Sequence, residues 1–243
     1  MEISIAIPYH GDRQKYTEQT VRNAAKRTDV KEVVVTLEPD SIFNLTHPKL
    51  KVFQNDKRLF VFRNKIEAVK HCSSPWVALI DSDNIVNSLY FNPLKGIPLA
   101  EGVIYCPEFG IPKLVYTEFV NRQIDKDHVS DRMREPRFDM LFNTMNYVFH
   151  RETWLSALEE AISDPYEPMS SDSKWINYHC LKAGMSMKVV GGMFYRHTVD
   201  KTGFYNENAA FDRAEGPKIF EQMKQWDNPI PRQEEKRSEW AIK

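Results

Sequence analysis

The sequence predicts an α/β fold, a single domain whose mainly parallel, twisted sheet is covered by helices. Short apolar runs alternate with stretches of helical periodicity through the first half of the chain. Several of those runs are β-branched and continuous, as in strands buried on both faces. Polar clusters then follow the runs directly, where open α/β sheets bind ligands.

The elements can be justified in order. "ISIAIP" (Ile3 to Pro8) alternates apolar and small residues and predicts a first strand. Val21, Ala24 and Ala25 recur at helical spacing, and "EVVVTL" (Glu32 to Leu37) is a buried-strand run. "KVFQ" (Lys51 to Gln54) is a third strand. The next helix puts Phe62, Ile66 and Val69 on one face, with Asn64 and Glu67 spaced as a capping box at its start. "WVALI" (Trp76 to Ile80) is the fourth strand and stops on Asp81-Ser82-Asp83. In the second half, "GVIYCPEF" and "TMNYVFH" predict strands, and "RETWLSALEEAI" predicts an amphipathic helix. Asp172 to Ala183 is a further helix with Trp175, Ile176, His179 and Cys180 inward and Gly184 as its stop. "MKVVGGMFYRH" returns to strand. The charged stretch 125 to 139 is expected as a solvated loop or a lid, and 227 to 243 as a charged tail.

Composition narrows the function classes. The chain has 243 residues, 42% of them hydrophobic, enough for a substantial core. Lysine and arginine number 33 against 34 aspartates and glutamates, so no global positive charge points to nucleic acid. No apolar run approaches membrane-spanning length, and "MEISIAIPYH" lacks the pattern of a signal peptide, so a cytoplasmic protein is expected. Cys72, Cys106 and Cys180 form no CxxC pair and read as reduced, structural residues.

The chemistry begins at Asp81-Ser82-Asp83. Asp is a poor strand former, and like charges repel. All of these residue types also favour turns, so a plain turn is the bland reading. Neither GxGxxG nor GxxxxGK[ST] occurs among the nine glycines, so a phosphate in this crevice needs neutralising by another means. Two carboxylates at i and i+2 suit Mg²⁺ or Mn²⁺, hard cations that share substrate phosphate oxygens.

"IAIPYH", "VVVTLEPD" and "FRNKIEAVKHCSSPWVALIDSDN", followed by "SSDSKWINYHCLKAGMSMKVVGGMFYRH", together resemble the nucleotide-sugar-dependent glycosyltransferases of the GT-A fold. Within that group they are most similar to the large inverting family 2. The resemblance covers roughly residues 1 to 200 and is strongest over 58 to 84. It implies a Rossmann-like GT-A domain over 1 to 226, with a nucleotide-binding half (1 to 84) and an acceptor half (85 to 226). It further implies that Asp83 ligates Mn²⁺ or Mg²⁺, that Asp81 contacts the ribose or the metal shell beside Ser82, and that His197 is a second metal ligand. Pro8, Tyr9 and His10 would shape the nucleotide pocket, Tyr9 either facing the base or capping the core. Arg63 would pair with the diphosphate or a pocket carboxylate, a plain surface helix charge being the bland reading. Glu38 stands where the family commonly has two aspartates, and Ser171-Asp172 where it has Glu-Asp.

The implied activity is transfer of a sugar from a nucleoside diphosphate donor, of the UDP or GDP type, to a hydroxyl of a glycan or other acceptor. Inversion is expected, with Asp172 as catalytic base, a place that a helix N-cap also explains. Two other functions are compatible with this fold type: a nucleotidyltransferase that makes nucleotide-sugars, and a carbohydrate-binding protein without turnover.

Overall fold

Alternation along the strands decides where the core lies. The computed structural model describes residues 1–11, 13–127, 129, 141–142, 145–165, 168, 171–198 and 216–219. In β1 (Ile3–Pro8), Ile3, Ile5 and Ile7 enter one apolar cluster, while Ala6 enters another. β2 (Val30–Leu37) divides the same way, Val33 and Val35 against Val34, and β4 (Trp76–Leu79) sends Ala78 one way and Val77 and Leu79 the other. Successive strand side chains point to opposite faces, so a sheet buried on both sides needs two cores.

Two helices cover these faces. α1 (Gln14–Ala25) contributes Val21 and Ala24 to the cluster of Ile3, Ile5 and Ile7. α2 (Val61–Lys70) contributes Phe62, Ile66 and Val69 to the cluster of Ala6, Val77 and Leu79. The helix starts before the expected capping box: Phe60 is its N-cap, and the Asn64 amide already donates to the Phe60 carbonyl at 2.9 Å. The Asn64 side chain is turned inward instead, accepting from Asn55 at 3.1 Å and donating to the Tyr9 carbonyl at 3.4 Å.

β3 (Leu50–Gln54) lies at the edge, and parallel pairing runs β3-β2-β1-β4. Beyond β4 come β8 (Tyr147–His150), β5 (Val103–Ile111), β9 (Ser186–Arg196) and β7 (Gln123–Ile124), with β6 (Leu114–Val115) paired to β5. β8 is antiparallel to both β4 and β5, while β9 is parallel to β5. The sheet is therefore mostly parallel with reversed strands in its second half.

The expected helix from residue 151 breaks at Leu158 (φ −101°) into α3 (Arg151–Ala157) and α4 (Glu159–Ser163). α5 (Asp172–Lys182) ends as the sequence predicts. Gly184 has φ +88°, its amide donates to the Leu181 carbonyl, and Met185 reaches back to the Cys180 carbonyl, each at 3.0 Å. These bonds form a Schellman motif, whose left-handed residue favours glycine. Cys72, Cys106 and Cys180 are buried and unpaired with one another. Among the described residues no helix is long and apolar enough to cross a membrane. Most of 125 to 139, the boundary at 226 and the tail 227 to 243 lie outside the described residues.

Candidate active site

The Asp81-Ser82-Asp83 turn hangs from the carboxyl end of the parallel strands. Ile80 still donates to the Ala6 carbonyl at 2.9 Å, and the Asn84 amide then closes a turn onto the Asp81 carbonyl at 2.9 Å. Its backbone is held from three sides. Thr17 and Thr20, on the buried face of α1, donate to the carbonyls of Ser82 and Asn84 at 3.1 Å each, and Thr20 also accepts from the Val86 amide at 3.2 Å. Buried Asn146, just before β8, accepts from the Asp81 amide at 3.2 Å and from the Asn84 side chain at 3.4 Å. The end of β9 joins through paired bonds between Ile85 and Arg196 at 3.0 and 2.8 Å, which brings His197 beside the turn.

The carboxylates gather protein cations. Lys65, in α2, is 3% exposed, with its ammonium 2.9 Å from Asp81 and 2.6 Å from Asp172. Both contacts are charge-assisted, at hydrogen-bonding distance. Asp172 is the first residue of α5, with Ser171 as N-cap. Burial raises its carboxyl above the ordinary range, and Lys65 opposes that rise. Burial also works against the Lys65 charge, but Asp172 and Asp81 outweigh it and raise the ammonium above its usual value. Arg13, immediately before α1, lies 3.5 Å from Asp83 and 3.4 Å from the Ser82 hydroxyl. Burial pushes Asp83 up to about 6, Arg13 pulling it down and Asp81 pushing it further up.

A divalent cation can be tested against these groups. Asp83 is a half-buried carboxylate whose pKa stays raised despite Arg13, and the His197 ring nitrogen Nδ1 is buried with no partner among the described residues. Burial lowers the His197 pKa, which keeps the ring neutral, as a ligand must be. Asp81, by contrast, is engaged by Lys65. Among the described residues no three His, Cys, Asp or Glu side chains come together tightly enough to hold a metal alone. The donors fit a cation whose shell is completed by substrate oxygens and water, the habit of Mg²⁺.

The other expected site residues are placed differently. Pro8 ends β1 in register with Thr36. Tyr9 is 2% exposed, its ring 5.4 Å from Phe43, so it caps the core and does not offer a face to a base. His10 follows at the rim, half-buried. Glu38, buried at the end of β2, accepts from the Leu59 amide at 2.9 Å and so fastens the β3–α2 loop. Arg63 donates to the carbonyls of Ile162 and Asp164 at 3.2 and 3.1 Å, clasping the C-terminal end of α4. Helix-end carbonyls carry unmet negative partial charge, which suits them to a guanidinium. Arg63 also lines a surface groove of about 470 Å³ between β3 and α2.

Lys65, Arg13, Asn146, Thr17 and Thr20 were not among the expected site residues. A signal existed for some of them. Lys65 falls in the apolar stripe of Phe62, Ile66 and Val69, and Thr17 and Thr20 share a stripe with Val21 and Ala24. A charged or polar residue in a buried stripe requires a partner there.

No protein-family model and no curated protein matches the sequence. Solved structures do match. S. aureus TarS 1-349 superposes with a TM-score of 0.58 at 14% identity, covering 93% of this chain and 71% of that one. The same protein in complex with UDP-GlcNAc gives 0.58 at 14%, covering 92% and 71%. The mannosyltransferase PcManGT from Pyrobaculum calidifontis, in complex with GDP-Man and Mn²⁺, gives 0.60 at 15%, covering 95% and 66%. The chain has the GT-A fold, the fold that its sequence motifs resemble. Identity this low carries the fold alone, and a fold by itself does not prove chemistry.

Proposed function

We propose that the protein is a glycosyltransferase that moves a sugar from a nucleoside diphosphate donor to an acceptor hydroxyl with inversion. The observation that carries this reading is the carboxylate turn at the strand ends, joined through Lys65 to Asp172 at the start of α5. Neighbours of the same fold in complex with UDP-GlcNAc, or with GDP-Man and Mn²⁺, support the donor class.

In this reading the donor diphosphate lies beside Asp83 and Arg13. Asp83 and His197 would hold a divalent cation there, which when bound neutralises charge on the departing diphosphate. Arg13 supplies a forked donor suited to the same oxygens. Asp172 takes the proton of the acceptor hydroxyl as its oxygen bonds to the anomeric carbon. The bond from that carbon to the diphosphate oxygen breaks on the opposite face, and the nucleoside diphosphate leaves with the electron pair. One attack from the far side inverts the anomeric centre.

A donor screen tests the proposal. Purified protein with Mn²⁺ or Mg²⁺ and a panel of UDP- and GDP-sugars is expected to release nucleoside diphosphate, by hydrolysis where no acceptor is supplied. Asp83→Ala is expected to abolish the metal-dependent part while leaving the fold intact, because Asp83 sits in a turn at a strand end. Turnover unchanged in that variant overturns the metal assignment, and no release from any donor overturns the reading itself.

A further inference from the structure

Lys65 is a costly residue for its position. It occupies a place in the apolar stripe of α2, between Phe62 and Val69, and is 3% exposed. An ammonium in such surroundings persists only when its charge is met. One carboxylate suffices for that, yet two meet it, at 2.9 and 2.6 Å, and they come from different parts of the chain. Asp81 follows β4 in the parallel half, while Asp172 opens α5 in the second half. The ammonium is a compact point charge with three donors, able to serve two oxygens at once where a planar guanidinium fork suits a single carboxylate better.

We propose that Lys65 is the positioning residue for Asp172, fixing its carboxylate relative to the Asp81-Ser82-Asp83 turn so that donor site and base form one unit. The proposal rests on the glycosyltransferase reading for its kinetic consequence, whereas the bridge itself stands on the geometry. Without the ammonium, the buried Asp172 carboxylate loses the only cation placed against it among the described residues. Its orientation and its charge are then both lost. Lys65 acts through Asp172 and not on the donor, so its removal should lower kcat and leave the donor KM nearly unchanged.

A double-mutant cycle on the full chain decides this, with Lys65→Met, Asp172→Asn and the two combined. Lys65→Met is expected to slow nucleoside diphosphate release by about 10²-fold. The double variant is expected to be no slower than Asp172→Asn, within about twofold. Additive losses overturn the positioning role, as does a normal kcat in Lys65→Met. A raised donor KM with kcat kept also overturns it, since Lys65 would then hold the diphosphate. Urea unfolding of the same proteins reads the bridge independently of turnover. Lys65→Met should lower the midpoint by stranding two carboxylates, and the double variant should recover part of that loss. Losses that simply add overturn the bridge. Calorimetry with UDP and GDP plus Mn²⁺ separates the two readings: a wild-type protein that binds neither refutes the donor class, while the unfolding cycle still decides the bridge.

Discussion

Asp172 carries the most chemistry in the smallest space. As the first residue of α5 it receives the positive end of the helix dipole, and Lys65 lies against it, so two favourable fields oppose a burial that pushes its pKa up. Asp172→Asn keeps the shape and removes the proposed proton acceptor. Transfer is expected to fall by about 10²-fold or more, with nucleoside diphosphate affinity nearly unchanged because the proposed base serves the acceptor hydroxyl and not the diphosphate. The anomeric configuration of the product, read by NMR, checks the direction of attack. Retention of the donor configuration, or near-normal transfer by Asp172→Asn, places the base elsewhere.

α1 contributes through backbone contacts rather than charge. Its buried face carries Thr17 and Thr20 beside Val21 and Ala24, and the hydroxyls hold the carbonyls of the Asp81-Ser82-Asp83 turn in place. Thr20 is bonded in both directions, to the Asn84 carbonyl and from the Val86 amide. Thr20→Val preserves the side-chain outline but strands both backbone groups, which should destabilise the protein by about 1–3 kcal/mol. The urea midpoint measures this, and a weaker affinity for nucleoside diphosphate should accompany it because the turn loses an anchor. A Thr20→Val protein as stable as wild type would mean that water satisfies those groups and that α1 does not set the turn.

Two groups outside the Asp81-Ser82-Asp83 turn contribute to the acid stability of the whole molecule. Burial pushes His179 down to about 4 from 6.5, against the pull of Glu160. Burial pushes Glu32 up, but Lys51, Ser4 and Ser73 together outweigh it and hold the carboxyl down to about 2 from 4.5. For both groups the unfolded chain takes up a proton before the folded one does. The contribution of these two groups is therefore full above pH 6.5, falls through the His179 window toward 4, and falls again through the Glu32 window from 4.5 toward 2. The slope per group is at most about 1.4 kcal/mol per pH unit. His179→Gln should flatten the upper part of a stability profile measured by urea unfolding, and Glu32→Gln the lower. A His179→Gln profile that falls as steeply as wild type between pH 6.5 and 4 would contradict the His179 assignment.

What the sequence determined by itself is local. The alternation of apolar and small residues in β1, the continuous β-branched run of β2, the 3.6-residue stripe of α2, Gly184 past the end of α5 and the carboxylates after β4 all follow from backbone geometry and from which side chains tolerate burial, and each was legible within a few residues. The cap of α2 was misplaced because Asn64 has distant partners, Asn55 and Tyr9, that compete with capping. Only the tertiary structure decided the reversed β8 between β4 and β5, the clasp of Arg63 on α4, the burial of Tyr9 against Phe43, and the bridge from Asp81 through Lys65 to Asp172. Each of these joins residues remote in the chain. Whether two such groups meet depends on strand order and helix packing, which no local pattern encodes; a lysine in an apolar stripe announces that it needs a partner, but not which carboxylate will reach it.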